Sequence, residues 1–190
     1  MAVILSALRP RWLPVLAVVF GVVYLLAPIS YRERLQSAFD PHHPMNLERT
    51  YMWDAGQRMF HDHPLTGVGL QDLHSIYDRY RSPQAHERAG HLHSVPVQIA
   101  ATMGIIGLLA FAALYLALLN CAASGLREML RTPAVETGLR VGVLAGLIGF
   151  LVAGLFEWNF GDEELLFLLF TLAGLAWSAR RWSAPEGEAA

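Results

Sequence analysis

The stretch VQIAATMGIIGLLAFAALYLALL, Val97 to Leu119, decides the fold. From Ile99 onward Thr102 is its one polar interruption, and apolar runs of about 18 or more residues read as membrane spans. Outward from it lie three further windows without a charged residue, at 12–31, 141–156 and 165–179. With them the chain is expected to have about four transmembrane helices, at 12–31, 97–119, 139–156 and 165–179. The fold class expected is all-α: a polytopic membrane protein forming one membrane domain, with a partly helical loop, 32–93, between the first two spans. Only 16% of residues are charged, against roughly 25% in soluble domains, and the deficit is concentrated in these windows. A soluble globular enzyme is disfavoured on that ground. A net charge of −2 argues against a nucleic-acid partner, which would require a basic surface. The single cysteine, Cys121, rules out an internal disulfide framework and any multi-thiolate metal site.

The first span, preceded by Arg9 and Arg11, also has the layout of a signal peptide. Its run is long, however, and Ala27-Pro28-Ile29-Ser30 makes a poor cleavage site, so it reads as an uncleaved span. The fourth is short: 165–179 as a helix reaches only about 23 Å at 1.5 Å per residue. It must borrow flanking residues or sit in a thinned bilayer, with Asp162, Glu163 and Glu164 at the interface. Arginine placement sets the orientation. Arg127, Arg131 and Arg140 lie between spans two and three, and Arg180 and Arg181 follow span four, whereas the turn between spans three and four has acids and no arginine. The chain ends and the 127–140 loop therefore face the cytoplasm, and 32–93 faces the periplasm of a bacterium. Arg32 and Arg34 balance Arg9 and Arg11 across the first span and add nothing to the argument.

The insert holds every histidine of the chain and several aromatic residues, among them Tyr51, Trp53, Phe60, Tyr77 and Tyr80. That composition predicts a folded segment lying on the membrane domain. Asn46 is a plausible N-cap, and Leu47, Tyr51, Ala55 and Met59 recur at helical spacing. On that helix Arg49 and Trp53 share a face. His63-Pro64 ends it, Gly67-Val68-Gly69 turns the chain, and 70–80 reads as a second short amphipathic helix. Ser82 to Gly90 reads as a polar loop leading into span two.

Several motifs lose their appeal on inspection. His86-Glu87 and His91 resemble a zinc-protease helix, but the histidines are five apart and one helical face needs four. The pairs His61/His63 and His91/His93 are spaced to share a side only on a strand, and the local pattern is helix end or loop. Interfacial histidines bonded to headgroups and backbone are the plainer reading, so no metal ligand is assigned. Gly67-Val68-Gly69 lacks the third glycine and preceding strand of a dinucleotide site. Arg49, beside the membrane face, and His93-Ser94, at the mouth of a span, stand out; ionisable residues at span mouths are functional candidates.

The residues Arg49-Thr-Tyr-Met-Trp53-Asp-Ala55, His63-Pro64-Leu65-Thr66-Gly67-Val68-Gly69, and His93-Ser94 followed after nine residues by Gly104-Ile-Ile-Gly107 occur in that order. Together they resemble the O-antigen ligase/polymerase family of bacterial membrane glycosyltransferases, over about Met45 to Phe111. The turn Phe156-Glu157-Trp158-Asn159-Phe160-Gly161-Asp162 is similar to the family's C-terminal polar turn. The resemblance implies transfer of a glycan from undecaprenyl diphosphate to an acceptor hydroxyl at the periplasmic face of the inner membrane. The acceptor would be a lipid A–core sugar in a ligase, a growing glycan in a polymerase, and a protein hydroxyl in an oligosaccharyltransferase. It implies metal-independent inverting chemistry without a cofactor.

The resemblance assigns roles that suit the residue types. Arg49 offers a planar fork for the departing diphosphate. His93 serves as base or acceptor-orienting group, since imidazole can take a proton near neutrality. Trp53 and Ser94 join Arg49 as substrate-binding residues, and grooves between spans hold the polyprenyl chain among membrane lipid. The sequence departs from the family in three ways. Ser94 stands where asparagine is commonest. A further diphosphate-binding arginine of the family's earlier half has no counterpart. Family members usually have ten or more spans, so these residues look like the C-terminal portion: a truncated gene, a misassigned start, or one half of a split protein whose partner is a separate N-terminal half. A non-catalytic remnant or accessory subunit that binds a lipid-linked glycan is the alternative. A channel or transporter is disfavoured, because spans two to four have almost no intramembrane charge.

Overall fold

The computed structural model describes residues 13–37, 40–70, 72–124 and 135–181. Among these residues the chain is all-α, with no strand. The helices are α1 (Leu13–Leu26), α2 (Ile29–Ser37), α3 (Pro44–Asp62), α4 (Leu73–Tyr80), α5 (Val95–Ala123), α6 (Val135–Gly154) and α7 (Glu163–Arg181), with a 3₁₀ turn at Asn159–Gly161. Arg9, Arg11, Trp12, Arg127 and Arg131, invoked above for the first span and for orientation, lie outside the described residues, as do the side chains of Arg180 and Arg181. The chain divides into two compact units at Thr50/Tyr51.

In the first unit the apolar run 12–31 is not one helix. It breaks after Leu26, where Pro28 lacks an N–H and its ring would crowd the carbonyl one turn back. Arg32 then turns its guanidinium onto the end of α1, donating from Nε to Ala27 O (2.9 Å) and from Nη2 to Leu25 O (2.8 Å). These carbonyls have no partner within the helix. Asn46, expected as an N-cap, instead sits inside α3, which begins at Pro44. Its Nδ2 donates to Ser37 O and Asp40 O, both at 2.8 Å, and so ties the α2–α3 turn.

In the second unit, α5 and α6 are long and apolar enough to cross a membrane, over Val95–Ala123 and Thr137–Gly154. α7 begins at Glu163 and has 19 residues. The short apolar window is therefore lengthened at both ends, with Glu163 and Glu164 in the first turn, where carboxylates favour the positive end of the helix dipole. α5, α6 and α7 pack on one another around Tyr115, Ala122, Val143, Leu147, Phe150, Leu169 and Ala176. Arg140 is 1% exposed. It reaches back from α6 to donate to Ser124 O, at the C-terminal end of α5, where a cation complements the dipole.

The insert has its own core. Met52, Ala55 and Met59 from α3, Leu73, Ile76 and Tyr77 from α4, and Ala89 and Leu92 from the following loop close over Ala101 of α5. Asp72 caps α4, its Oδ1 accepting from His74 N at 3.2 Å. The expected helix over 70–80 is thus shortened at its start to Leu73.

A backbone break joins the two parts of this unit. Gly104 has φ 62° and ψ −159°, which interrupts α5. A regular helix would bond Ile105 N to Ala101 O and Ile106 N to Thr102 O. Here the chain after α3 is inserted between them. Val68 N donates to Ala101 O (2.8 Å) and Gly69 N to Thr102 O (3.0 Å), while Ile105 N donates to Pro64 O (2.9 Å) and Ile106 N to Leu65 O (3.3 Å). Two helical bonds are replaced by four bridging ones. Glycine is required on both sides of this contact. A Cβ on Gly104 would collide with the Leu65 carbonyl, and one on Gly67 (φ 66°) with the backbone at Thr102–Met103.

Candidate functional site

The docked turn fixes the first stretch of α5, and with it the residues just before the helix. Leu92 is fully buried in the insert core. Its amide donates to Gln98 Oε1 at 2.8 Å, and Gln98, itself buried, lies one turn into α5. Gln98 N in turn donates to Ser94 O at 2.8 Å. Ser94 occupies the N-cap position and is buried, but its side chain makes no cap hydrogen bond. Between these anchors His93 adopts φ 44°, a left-handed conformation unusual for a residue other than glycine. Such strain persists only where the surroundings over-determine it, and the Leu92 and Gln98 contacts supply that constraint.

Positive φ at His93 has a consequence that alternation along a loop did not predict. The rings of His91 and His93 lie together, with centroids 4.2 Å apart at 54°. Both face the turn between α6 and α7. Glu157 Oε1 is 2.8 Å from His93 Nδ1 and 3.5 Å from His91 Nε2. The same oxygen accepts from Trp158 N at 3.0 Å, which fixes the carboxylate against its own backbone. Asn159, buried, donates from Nδ2 to Phe150 O (2.9 Å) and holds that turn on α6. Burial lowers the His91 pKa from the ordinary imidazole value; the neighbouring His93 acts in the same direction and Glu157 opposes both.

An ionised carboxylate can only accept, so in a contact with the neutral His93 ring the proton sits on Nδ1 and Nε2 carries the lone pair. His93 is about a quarter exposed, at 27%.

Trp53 lies in the second unit, on α3, with its ring 6.5 Å from Phe156, the residue before Glu157. Its Nε1 is buried and has no hydrogen-bond partner among the described residues. Beside the start of α5 runs an apolar groove of about 240 Å³, lined by Val95, Pro96, Phe111, Phe150, Gly154 and Leu155 among others. His93, Ser94, Trp53 and this groove thus belong to one unit. Arg49 belongs to the first, half-buried on α3. Glu157 was quoted in the sequence as part of a turn but given no role. It is distant from His93 in sequence, and only the polar turn between two apolar spans hinted at it.

A search of curated proteins finds no match to the chain. The family model described as O-Antigen ligase matches residues 1–112. That stretch holds Arg49, Trp53, the Pro64–Gly69 turn, His93, Ser94 and Gly104, and ends before Glu157. Enzymes of this family are membrane proteins of the glycosyltransferase type that act in polysaccharide biosynthesis. The match covers more than half of the chain, and on that basis the chain belongs to the O-antigen ligase family.

Proposed function

We propose that the chain transfers a glycan from undecaprenyl diphosphate to an acceptor hydroxyl at the periplasmic face of the inner membrane. The observation that carries this reading is His93, paired through Nδ1 with Glu157 at 2.8 Å and two residues before Val95, which lines the apolar groove. His93 Nε2 takes the proton of the acceptor hydroxyl. The oxygen attacks the anomeric carbon from the face opposite the diphosphate, the carbon–oxygen bond to phosphate breaks, and undecaprenyl diphosphate departs. Arg49 neutralises the charge developing on the leaving group through two parallel N–H donors. Trp53 offers its ring face to the glycan, and Ser94 lies beside the base. The groove takes the first isoprene units of the donor.

The proposed membrane placement is supported by α5. At about 1.5 Å per residue its 29 residues would span about 43 Å, well beyond the roughly 30 Å hydrocarbon core. Burial changes character at the Gly104 break. Val95, Gln98, Ile99, Ala101 and Thr102 are buried before it, whereas Ile106, Leu109, Leu114 and Leu116 are exposed after it. The segment from Ile105 therefore spans the core, and the preceding turns sit at the interface with the insert. α1, α6 and α7 are the other spans, and 32–93 is periplasmic. The acceptor is a lipid A–core sugar or a growing glycan.

The test is His93→Ala, read both as transfer and as binding of the lipid-linked donor. A loss of transfer by about 10²–10⁴-fold, the range general-base catalysis supplies, with donor binding retained, is expected. Wild-type transfer in this variant would overturn the mechanism. Transfer absent from the wild-type chain, with donor binding intact, would favour the accessory lipid-glycan binder instead.

A further inference from the structure

We propose that His91, His93 and Glu157 form a site for a divalent transition metal of zinc type, and that its occupancy switches off His93 as a proton acceptor. The second half rests on the role of His93 given above; the first does not. The three side chains come from two segments, the loop before α5 and the turn before α7, and one ligand atom from each lies within 4.8 Å of the other two. A tetrahedral zinc ion about 2.0–2.1 Å from nitrogen and oxygen donors separates those donors by about 3.3 Å. The observed separations from Glu157 Oε1, 2.8 Å to His93 Nδ1 and 3.5 Å to His91 Nε2, bracket that value. Side-chain rotation brings the remaining histidine-to-histidine separation, which is within 4.8 Å, to the same value.

The donor set selects the ion. Two imidazoles and one carboxylate suit zinc and its neighbours, whereas magnesium and calcium take oxygen ligands. Three protein ligands leave a fourth position for water or a substrate oxygen. The scaffold is already organised. Buried Leu92 separates the two histidines and holds both rings on one side through the positive φ at His93, and Trp158 N fixes the carboxylate oxygen.

The two states of the site differ in where one proton sits on the His93 ring. Without metal, Nδ1–H of His93 donates to Glu157 and Nε2 keeps its lone pair. With metal, Nδ1 gives its lone pair to the ion and the ring proton resides on Nε2. A metal-bound His93 can donate a hydrogen bond to the acceptor hydroxyl but cannot remove its proton. Metal is therefore an inhibitor here rather than a cofactor.

The experiment titrates zinc into the purified chain in detergent, with a chromogenic chelator as competitor, and repeats the titration with cobalt(II) to read the visible absorption of a four-coordinate site. One ion per chain is expected in the wild type. Affinity should fall at least tenfold in His91→Ala and in Glu157→Gln, and should be unchanged in His61→Ala, whose side chain is 92% exposed. No stoichiometric ion in the wild type, or equal affinities across the four proteins, would overturn the site. In the transfer assay, zinc should inhibit the wild type at the concentration at which it binds, with the inhibition curve displaced at least tenfold in His91→Ala. Stoichiometric zinc binding without inhibition would overturn the switch. Transfer that survives His93→Ala would instead overturn the role of His93, whatever zinc does, so the two failures are distinguishable.

Discussion

Replacing Gly104 by alanine tests how the insert is held. Position 104 has φ 62° and ψ −159°, a region essentially confined to glycine, and holding an L-residue there costs about 1–3 kcal/mol. The added Cβ also falls on the Leu65 carbonyl, where backbone and no flexible side chain faces it. Relief requires the Pro64–Gly69 turn to withdraw. Four inter-segment hydrogen bonds are then lost, and at most two helical ones, Ile105 to Ala101 and Ile106 to Thr102, can form in their place. A net loss of two bonds at about 0.5–1.5 kcal/mol each, added to the backbone term, gives a destabilisation of about 2–6 kcal/mol. The control is Gly149→Ala, on an open face of α6 with nothing near its would-be Cβ. There alanine should be neutral or stabilising by up to about 1 kcal/mol. Thermal unfolding in one detergent, with limited proteolysis at the 63–69 segment, reads both variants. If Gly104→Ala unfolds with Gly149→Ala, and its 63–69 segment stays protected, the bridging account is wrong.

Other outcomes follow from the same contacts. Gln98→Leu leaves the buried Leu92 amide without its acceptor and should cost about 1–3 kcal/mol of stability, measured in the same unfolding assay. Glu157→Gln keeps the shape but removes the acceptor-only carboxylate that sets the His93 tautomer; transfer at saturating substrate should fall about ten- to a hundredfold with KM little changed, and an unaltered rate would remove Glu157 from the mechanism. Arg49→Lys retains charge but loses the fork, so transfer should slow about tenfold or more at 1.4 kcal/mol per factor of ten. Arg58→Lys should be nearly silent, because Arg58 makes an exposed pair with Asp54 at 2.7 Å and such pairs contribute about 0–1 kcal/mol. Alkaline phosphatase fused after Gly90 should be active and the same fusion at Arg131 inactive; the reverse pattern would invert the topology.

The helices were legible because hydropathy is local. The uncharged windows located α5, α6 and α7, and helical spacing of Leu47, Tyr51, Ala55 and Met59 located α3. What escaped depends on contacts distant in sequence. Asn46 looked like a cap, yet its carboxamide spans the α2–α3 turn. Arg140 counted as a charge flanking a span, yet it is buried on the last carbonyls of α5. The glycine turn at 67–69 and the glycine at 104 were each visible, but nothing local shows that one is inserted into the other. At the site, His93 and Ser94 were singled out and Glu157 was not. The His91–His93 pair was set aside because alternate loop residues diverge as a rule, and a single positive φ reversed that outcome. Gly67, Gly69, His93 and Gly104 all have positive φ, and residue pattern alone does not report backbone handedness at a histidine.

The most direct measurement of the central claim is chemical rescue of the base. Single-turnover glycan transfer from an undecaprenyl-diphosphate donor is followed in the wild type and in His93→Ala, each with and without added imidazole. If His93 removes the acceptor proton, the variant should be slower by about 10²–10⁴-fold, and imidazole should restore transfer in the variant with saturation while leaving the wild type unchanged. A variant that transfers at the wild-type rate, or an inactive one that still binds the donor and gains nothing from imidazole, would contradict the account.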